Sequence, residues 1–138
     1  MMGRRLLGLV LLLISAIAIV VIAQTDSGDK RLSVDEAREM ISDDTNVVVL
    51  DVRREEEYKS ETGHLANAIL IPVQEIEERI GELEPLKEKV IIAYCRTGRR
   101  SEKAAGLLGD HGFKVYTMEG GIVRWNELRL PVVKEEEH

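Results

Sequence analysis

The sequence predicts an α/β domain, a small and mainly parallel β-sheet flanked by helices, and three observations carry that prediction. Apolar runs rich in β-branched residues, such as Val47 to Val52 (VVVLDV), have the continuous hydrophobicity of strands buried on both faces. Stretches with apolar residues at helical spacing alternate with these runs. Strands separated by helices need crossover connections, which make the sheet mainly parallel. About 115 residues follow the amino-terminal segment, a length suited to one compact domain around one core.

Taken in order, Ser33 followed by Glu36 forms a capping box and opens a short helix through about Ile41. Val47 to Val52 is the first strand. Arg54 to Ser60 is charged and helical, and Gly63-His64 turns the chain. Ala68 to Ile71 (AILI) is a second strand, stopped by Pro72. Val73, Ile76, Ile80 and Leu83 recur at helical spacing opposite glutamates and Arg79, so one helix is expected over 73–83. Val90 to Tyr94 (VIIAY) is the third strand. Ser101 to about His111 is a helix with Ala104, Ala105, Leu107 and Leu108 inward, closed by Gly112. Lys114 to Met118 is the fourth strand, and a Gly-Gly turn leads to a last short helix bearing Trp125.

The first residues are of a different kind. Leu6 to Ala23 is an uncharged run of 18 residues behind the basic pair Arg4 and Arg5, a pattern that keeps the arginines cytoplasmic and sends the rest outward. The run just meets the roughly 17–25 apolar residues of a membrane anchor. Val21 and Ala23 also suit the −3 and −1 positions of a cleavage site. No polar, helix-breaking stretch precedes Ala23, which favours the anchor. The chain therefore divides into a leader (1–23), a linker (24–30), a domain (31–133) and a charged tail (134–138), with the domain expected outside the cytoplasm.

Without Arg4 and Arg5, 17 of the 19 basic residues stand against 25 acidic ones, a charge of −8 for the remainder. Polyanion binding calls for a basic face, and one short cluster is present, Arg96, Arg99, Arg100 and Lys103. The expectation is no nucleic-acid partner. Cys95 is the single cysteine, so no internal disulfide forms and the thiol is either free or paired between molecules. His64, His111 and His138 are scattered, with no second ligand at a metal-binding interval, and no metal or cofactor is expected.

The segment that carries chemistry is Tyr94-Cys95-Arg96-Thr97-Gly98-Arg99-Arg100-Ser101, between a strand and a helix at the carboxyl end of the sheet. Successive backbone N–H groups there can converge on an anion beside a helix N-terminus, and Gly98 gives the turn its freedom. A cysteine in that position has its thiolate favoured by the helix and by neighbouring arginines. An ordinary buried cysteine would not need three arginines beside it.

This loop resembles the active-site loop of the rhodanese family, in which cysteine begins a short cradle ending at a helix. Asp51-Val52-Arg53 with Glu57-Tyr58 is similar to the family's Asp-x-Arg…Glu-(Tyr/Phe) stretch. Gly63-His64-Leu65-Ala66-Asn67-Ala68, then Ile71-Pro72, resembles its Gly-His signature, and Gly120-Gly121-Ile122-x-x-Trp125 with Leu130-Pro131-Val132 resembles its carboxyl-terminal one. Four motifs in order over residues 31–133 make a specific likeness. Departures fall in turns: four residues lie between Tyr58 and Gly63 where about two are usual, Ala66-Asn67 replaces Pro-Gly, and Arg129 replaces a common glycine.

The resemblance implies a sulfurtransferase in which Cys95 takes the sulfane sulfur of a donor such as thiosulfate, holds it as a persulfide, and passes it to a thiol or cyanide. Arg96 is expected to contact an anionic donor, with Thr97, Gly98, Arg99, Arg100 and Ser101 completing the binding loop. Ser101 serves equally well as a helix cap. Asp51 and Arg53 are assigned to support, Asp51 by pairing with a loop arginine. His64 is read as a turn residue and Trp125 as core. The expected partners are thus the sulfur donor, the acceptor, and a membrane through residues 6–23. A non-enzymatic persulfide carrier or protein-binding module on the same fold is the alternative. A cysteine phosphatase is disfavoured, because Ser101 stands where its arginine belongs, six residues after the cysteine.

Overall fold

The computed structural model describes residues 30–135. The leader, most of the linker and the last three residues lie outside the described residues, and with them the expected apolar span over 6–23. Among the described residues no helix is long and apolar enough to cross a membrane.

Five parallel strands form one sheet: β1 (Arg31–Leu32), β2 (Val47–Asp51), β3 (Ile69–Leu70), β4 (Val90–Tyr94) and β5 (Lys114–Met118), in the spatial order β1-β5-β4-β2-β3. Around them lie α1 (Val34–Asp43), α2 (Glu55–Tyr58), α3 (Ile76–Arg79), α4 (Arg99–Asp110) and α5 (Gly121–Glu127). The α/β class and parallel sheet are as expected. β4 sits at the centre, with Asp51 of β2 opposite Tyr94 in register.

Side-chain alternation along β4 and its neighbours builds two cores. On one face Leu50, Ile91, Ala93 and Val115 pack with Ala104 and Leu108 of α4 and with Ile76 of α3. On the other, Val49, Ile92, Tyr94 and Met118 pack with Val34 and Ala37 of α1 and with Ile122 and Trp125 of α5. Thus α4 leaves β4 toward one face while α5 leaves β5 toward the other. A crevice opens between these adjacent carboxyl ends, where open α/β sheets place their ligands.

The structure corrects the sequence reading in three places. β1 is a fifth strand; its two residues carry no periodicity and are fixed by the backbone, with Glu119 N–H donating to Leu32 O at 2.8 Å. The expected helix over 73–83 is broken into 3₁₀ turns (Val73–Glu75, Ile80–Glu82) either side of α3, and a further turn follows at Glu84–Leu86. Gly81 weakens a helix interior and Pro85 cannot donate to one, while the tighter turns still bury Ile76 and Leu83. α4 begins at Arg99, two residues before the expected Ser101, so Arg99, Arg100 and Ser101 form its first turn rather than a loop.

Candidate active site

Cys95 directly follows β4 and is buried, 1 % exposed. The chain then turns through Arg96, Thr97 and Gly98 into α4. Gly98 N–H donates to Cys95 Sγ at 3.0 Å. The thiol donates to Ser101 Oγ at 3.7 Å, and that hydroxyl donates onward to Gly98 O at 2.9 Å. Gly98 caps the helix at φ 127°, a conformation L side chains avoid.

The loop is held open from behind by α5. Ile122 N–H donates to Cys95 O at 2.9 Å and Val123 N–H to Arg96 O at 3.2 Å. In a trans peptide the carbonyl and the following N–H point in opposite directions. Turning the Cys95 and Arg96 carbonyls toward α5 therefore turns the Arg96 and Thr97 N–H groups the other way. Gly121, at φ 54°, lets the two elements meet: a Cβ there would fall on the carbonyl oxygens of Cys95 and Arg96. The Gly-Gly motif thus belongs to the site.

Burial pushes the Cys95 thiol up, but the N–H and hydroxyl of Ser101, then the N–H groups of Gly98 and Thr97, outweigh it and bring the thiol below its ordinary value of 9.0. Backbone dipoles and one hydroxyl lead this bias, ahead of the expected arginines. Arg96 and Arg99 are exposed. Arg100 is turned aside into a bidentate pair with Glu57, at 2.6 and 2.7 Å.

Beneath the loop lies a buried polar network. The Asp51 carboxylate receives Arg53 Nη2 at 2.7 Å and Nε at 3.0 Å, the Arg53 N–H at 3.0 Å, and the Tyr94 hydroxyl at 2.5 Å. Leu65 N–H donates to that hydroxyl at 3.0 Å. Burial and the adjacent carboxylate push the Tyr94 phenol far up, so it stays a donor. The arginine beside Asp51 is Arg53 and not one from the loop. Two contributors escaped the sequence reading. Tyr94, the residue before Cys95, anchors the start of the loop through Asp51, and Glu57 anchors Arg100, the residue before Ser101; both stood inside quoted motifs without a role. His64 is a turn residue against the carboxyl-terminal segment, exchanging backbone bonds with Val133 at 2.8 and 2.9 Å.

Fold and loop agree with what comparison with known proteins finds. The model of the Rhodanese-like domain family matches residues 33–128, and the chain belongs to that family. It is similar to the tRNA uridine(34) hydroxylases of Pectobacterium atrosepticum, 38 % identical over 90 residues, and Hamiltonella defensa, 40 % identical over 99 residues. These matches take in 62 % and 68 % of this chain but only 25 % and 27 % of those proteins, so the chain spans about a quarter of the curated relatives it matches. Among solved structures it is similar to a rhodanese-related protein from Thermoplasma volcanium, 34 % identical with a TM-score of 0.68, over 76 % of this chain and 98 % of that one.

These relatives correct two expectations. The sequence reading makes the chain an exported sulfurtransferase moving sulfane sulfur from a donor such as thiosulfate to a thiol or cyanide, with a membrane but no nucleic acid among its partners. Relatives that share its domain are instead named for hydroxylation of a tRNA uridine. That reaction and those partners therefore do not follow from the domain. The exclusion of nucleic acid rested on the acidic balance and the shortness of one basic cluster, and relatives of this domain named for a tRNA remove its footing, since net charge averages a surface on which Arg96 and Arg99 are exposed. The membrane partner draws on residues outside those described.

Proposed function

We propose that this rhodanese-like domain is an enzyme of the sulfurtransferase type, with Cys95 as its covalent nucleophile. The observation that carries the reading is the closure of the loop on one sulfur atom, with Gly98 N–H at 3.0 Å and Ser101 Oγ at 3.7 Å from Sγ. The thiolate attacks the outer sulfur of a sulfane donor; a new S–S bond forms at Sγ as the donor's own S–S bond breaks and its remainder leaves as an anion. The N–H groups of Thr97 and Gly98 support the negative sulfur. No second cysteine exists to relay it, so the acceptor comes from another molecule.

Incubating the purified protein with inorganic polysulfide and measuring intact mass tests this. A gain of one sulfur, reversed by a thiol and absent in Cys95→Ser, is expected. Failure of the wild-type protein to take up sulfur overturns the reading.

A second reading rests on the relatives named tRNA uridine(34) hydroxylase: the domain serves modification of uridine in RNA. Cys95-dependent change of that nucleoside on incubation with tRNA, measured after digestion, would favour it. Location bears on the choice. From Arg4, Arg5 and the 18-residue apolar run we also propose that the domain lies outside the cytoplasm. Fractionation with a compartment-specific reporter fused at the carboxyl terminus tests that, and a cytoplasmic signal would overturn it.

A further inference from the structure

Both ends of the Cys95 loop are tied to one piece of chain, the segment running from β2 into α2. At the start, Tyr94 is held by Asp51; at the end, Arg100 is held by Glu57, 43 residues away. The second tie is a two-point fork, and its side chains are only 32 % and 31 % exposed. Fixed bidentate pairs of this kind differ from single surface contacts, many of which contribute nothing measurable. Glu57 arrives already oriented: Oε2 accepts the Arg54 N–H at 3.0 Å, and its backbone carbonyl accepts Ser60 Oγ at 2.6 Å and Arg53 Nη1 at 3.3 Å. Arg100 feels the charge on the Cys95 sulfur as well as that on Glu57.

We propose that Glu57 is a positioning residue for the chemistry at Cys95: it fixes the Arg100 guanidinium beside the loop, offsets its charge, and leaves Arg96 and Arg99 as the cations an anionic substrate meets. The inference rests on Cys95 being the nucleophile. It makes Glu57 and Arg100 a matched pair acting on the thiolate with opposite sign. The Cys95 sulfur is also met by the Ser101 hydroxyl and N–H and by the Thr97 and Gly98 N–H groups, while the charged Asp51–Arg53 pair lies on the far side of Glu57's own bond to Arg53 Nη1 and stays in place in both variants.

The pH dependence of Cys95 alkylation by iodoacetamide tests the pairing. It needs no sulfur donor, so its outcome is independent of whether Cys95 carries a persulfide. Glu57→Gln keeps the shape, leaves the Arg100 charge uncompensated, and should lower the apparent pKa. Arg100→Met leaves the Glu57 charge uncompensated and should raise it. Opposite charges within about 4–6 Å shift a group by roughly 1–3 units, and for this partly exposed pair about half a unit each way is expected, a threefold change in rate below the pKa. The double variant should return to the wild-type profile. Profiles that do not move, or that move the same way in both single variants, overturn the proposal, because a purely mechanical brace acts through geometry and not sign. Should Glu57→Gln fail to fold, Arg100→Lys against Arg100→Met decides: lysine keeps the charge and should keep the profile nearer wild type, and equal profiles overturn the proposal.

Discussion

Replacing Asp51 with alanine should destabilise this protein more than any change at its surface. Asp51 is fully buried and Arg53 is 1 % exposed. In Asp51→Ala the Arg53 guanidinium keeps Thr62 Oγ1 at 2.9 Å and Gly63 O at 2.8 Å but loses its ion-pair partner, the carboxylate in direct contact with it. Breaking one side of a buried pair typically costs about 3–5 kcal/mol, because the surviving charge stays desolvated. The Tyr94 hydroxyl also loses its acceptor, which adds about 1 kcal/mol. A loss of about 4 kcal/mol or more is therefore expected, a large share of the roughly 5–15 kcal/mol that holds a domain folded. Urea unfolding followed by far-UV circular dichroism is the assay. With a slope of about 2 kcal/mol per molar, the midpoint should fall by about 2 M at unchanged slope. Asp51→Asn keeps an acceptor for Tyr94 and should lose less. A fall below about 0.5 M in Asp51→Ala would refute the reasoning, since Arg53 would then have another way to satisfy its charge.

Three further outcomes follow from the geometry. Gly121→Ala places a methyl on the Cys95 and Arg96 carbonyls, so α5 must withdraw; stability should fall by about 2 kcal/mol or more, and the alkylation pKa of Cys95 should rise as the loop N–H groups lose their alignment. The Glu57 carboxyl is held down from 4.5 to about 2, first by its bonds to Arg100; a depressed folded value contributes stability above about pH 4.5 that is lost as pH falls toward 2, so urea midpoints over that range should fall less steeply in Glu57→Gln than in wild type. Thr117 carries a buried hydroxyl with no partner among the described residues; Thr117→Val should leave stability unchanged or raise it by about 1 kcal/mol, and a loss above 1 kcal/mol in thermal unfolding would show that the hydroxyl is satisfied after all.

What the sequence discloses and what it withholds divides along physical lines. Strands β2 and β4 were legible because burial on both faces leaves a nearly continuous apolar run, and α1 because its cap is local: Ser33 and Glu36 exchange bonds of 2.8 and 3.2 Å across three residues. Asn67 and Arg129, noted only as departures from the family's glycines, adopt φ of 58° and 56°, the left-handed region glycine would enter freely. β1 was not legible, since two residues have no period and the strand exists only by pairing with β5.

The loop shows the division most sharply. That Cys95, Gly98 and Ser101 share one turn is a matter of spacing, and spacing is written in the chain. Which arginine faces solvent is not. Arg96, Arg99 and Arg100 are equivalent as letters, and they differ because Glu57, 43 residues before Arg100, pairs with that one alone. Nor does composition reveal that the thiolate is favoured by N–H groups, whose direction depends on α5 holding the opposite carbonyls. Backbone donors of this kind are present at every residue but proline and visible at none, so a motif can locate a nucleophile while saying little about what activates it. The same limit applies to partners: the loop's chemistry is local, but what reaches it depends on how charges are distributed over the folded surface, which neither a net charge nor a motif reports.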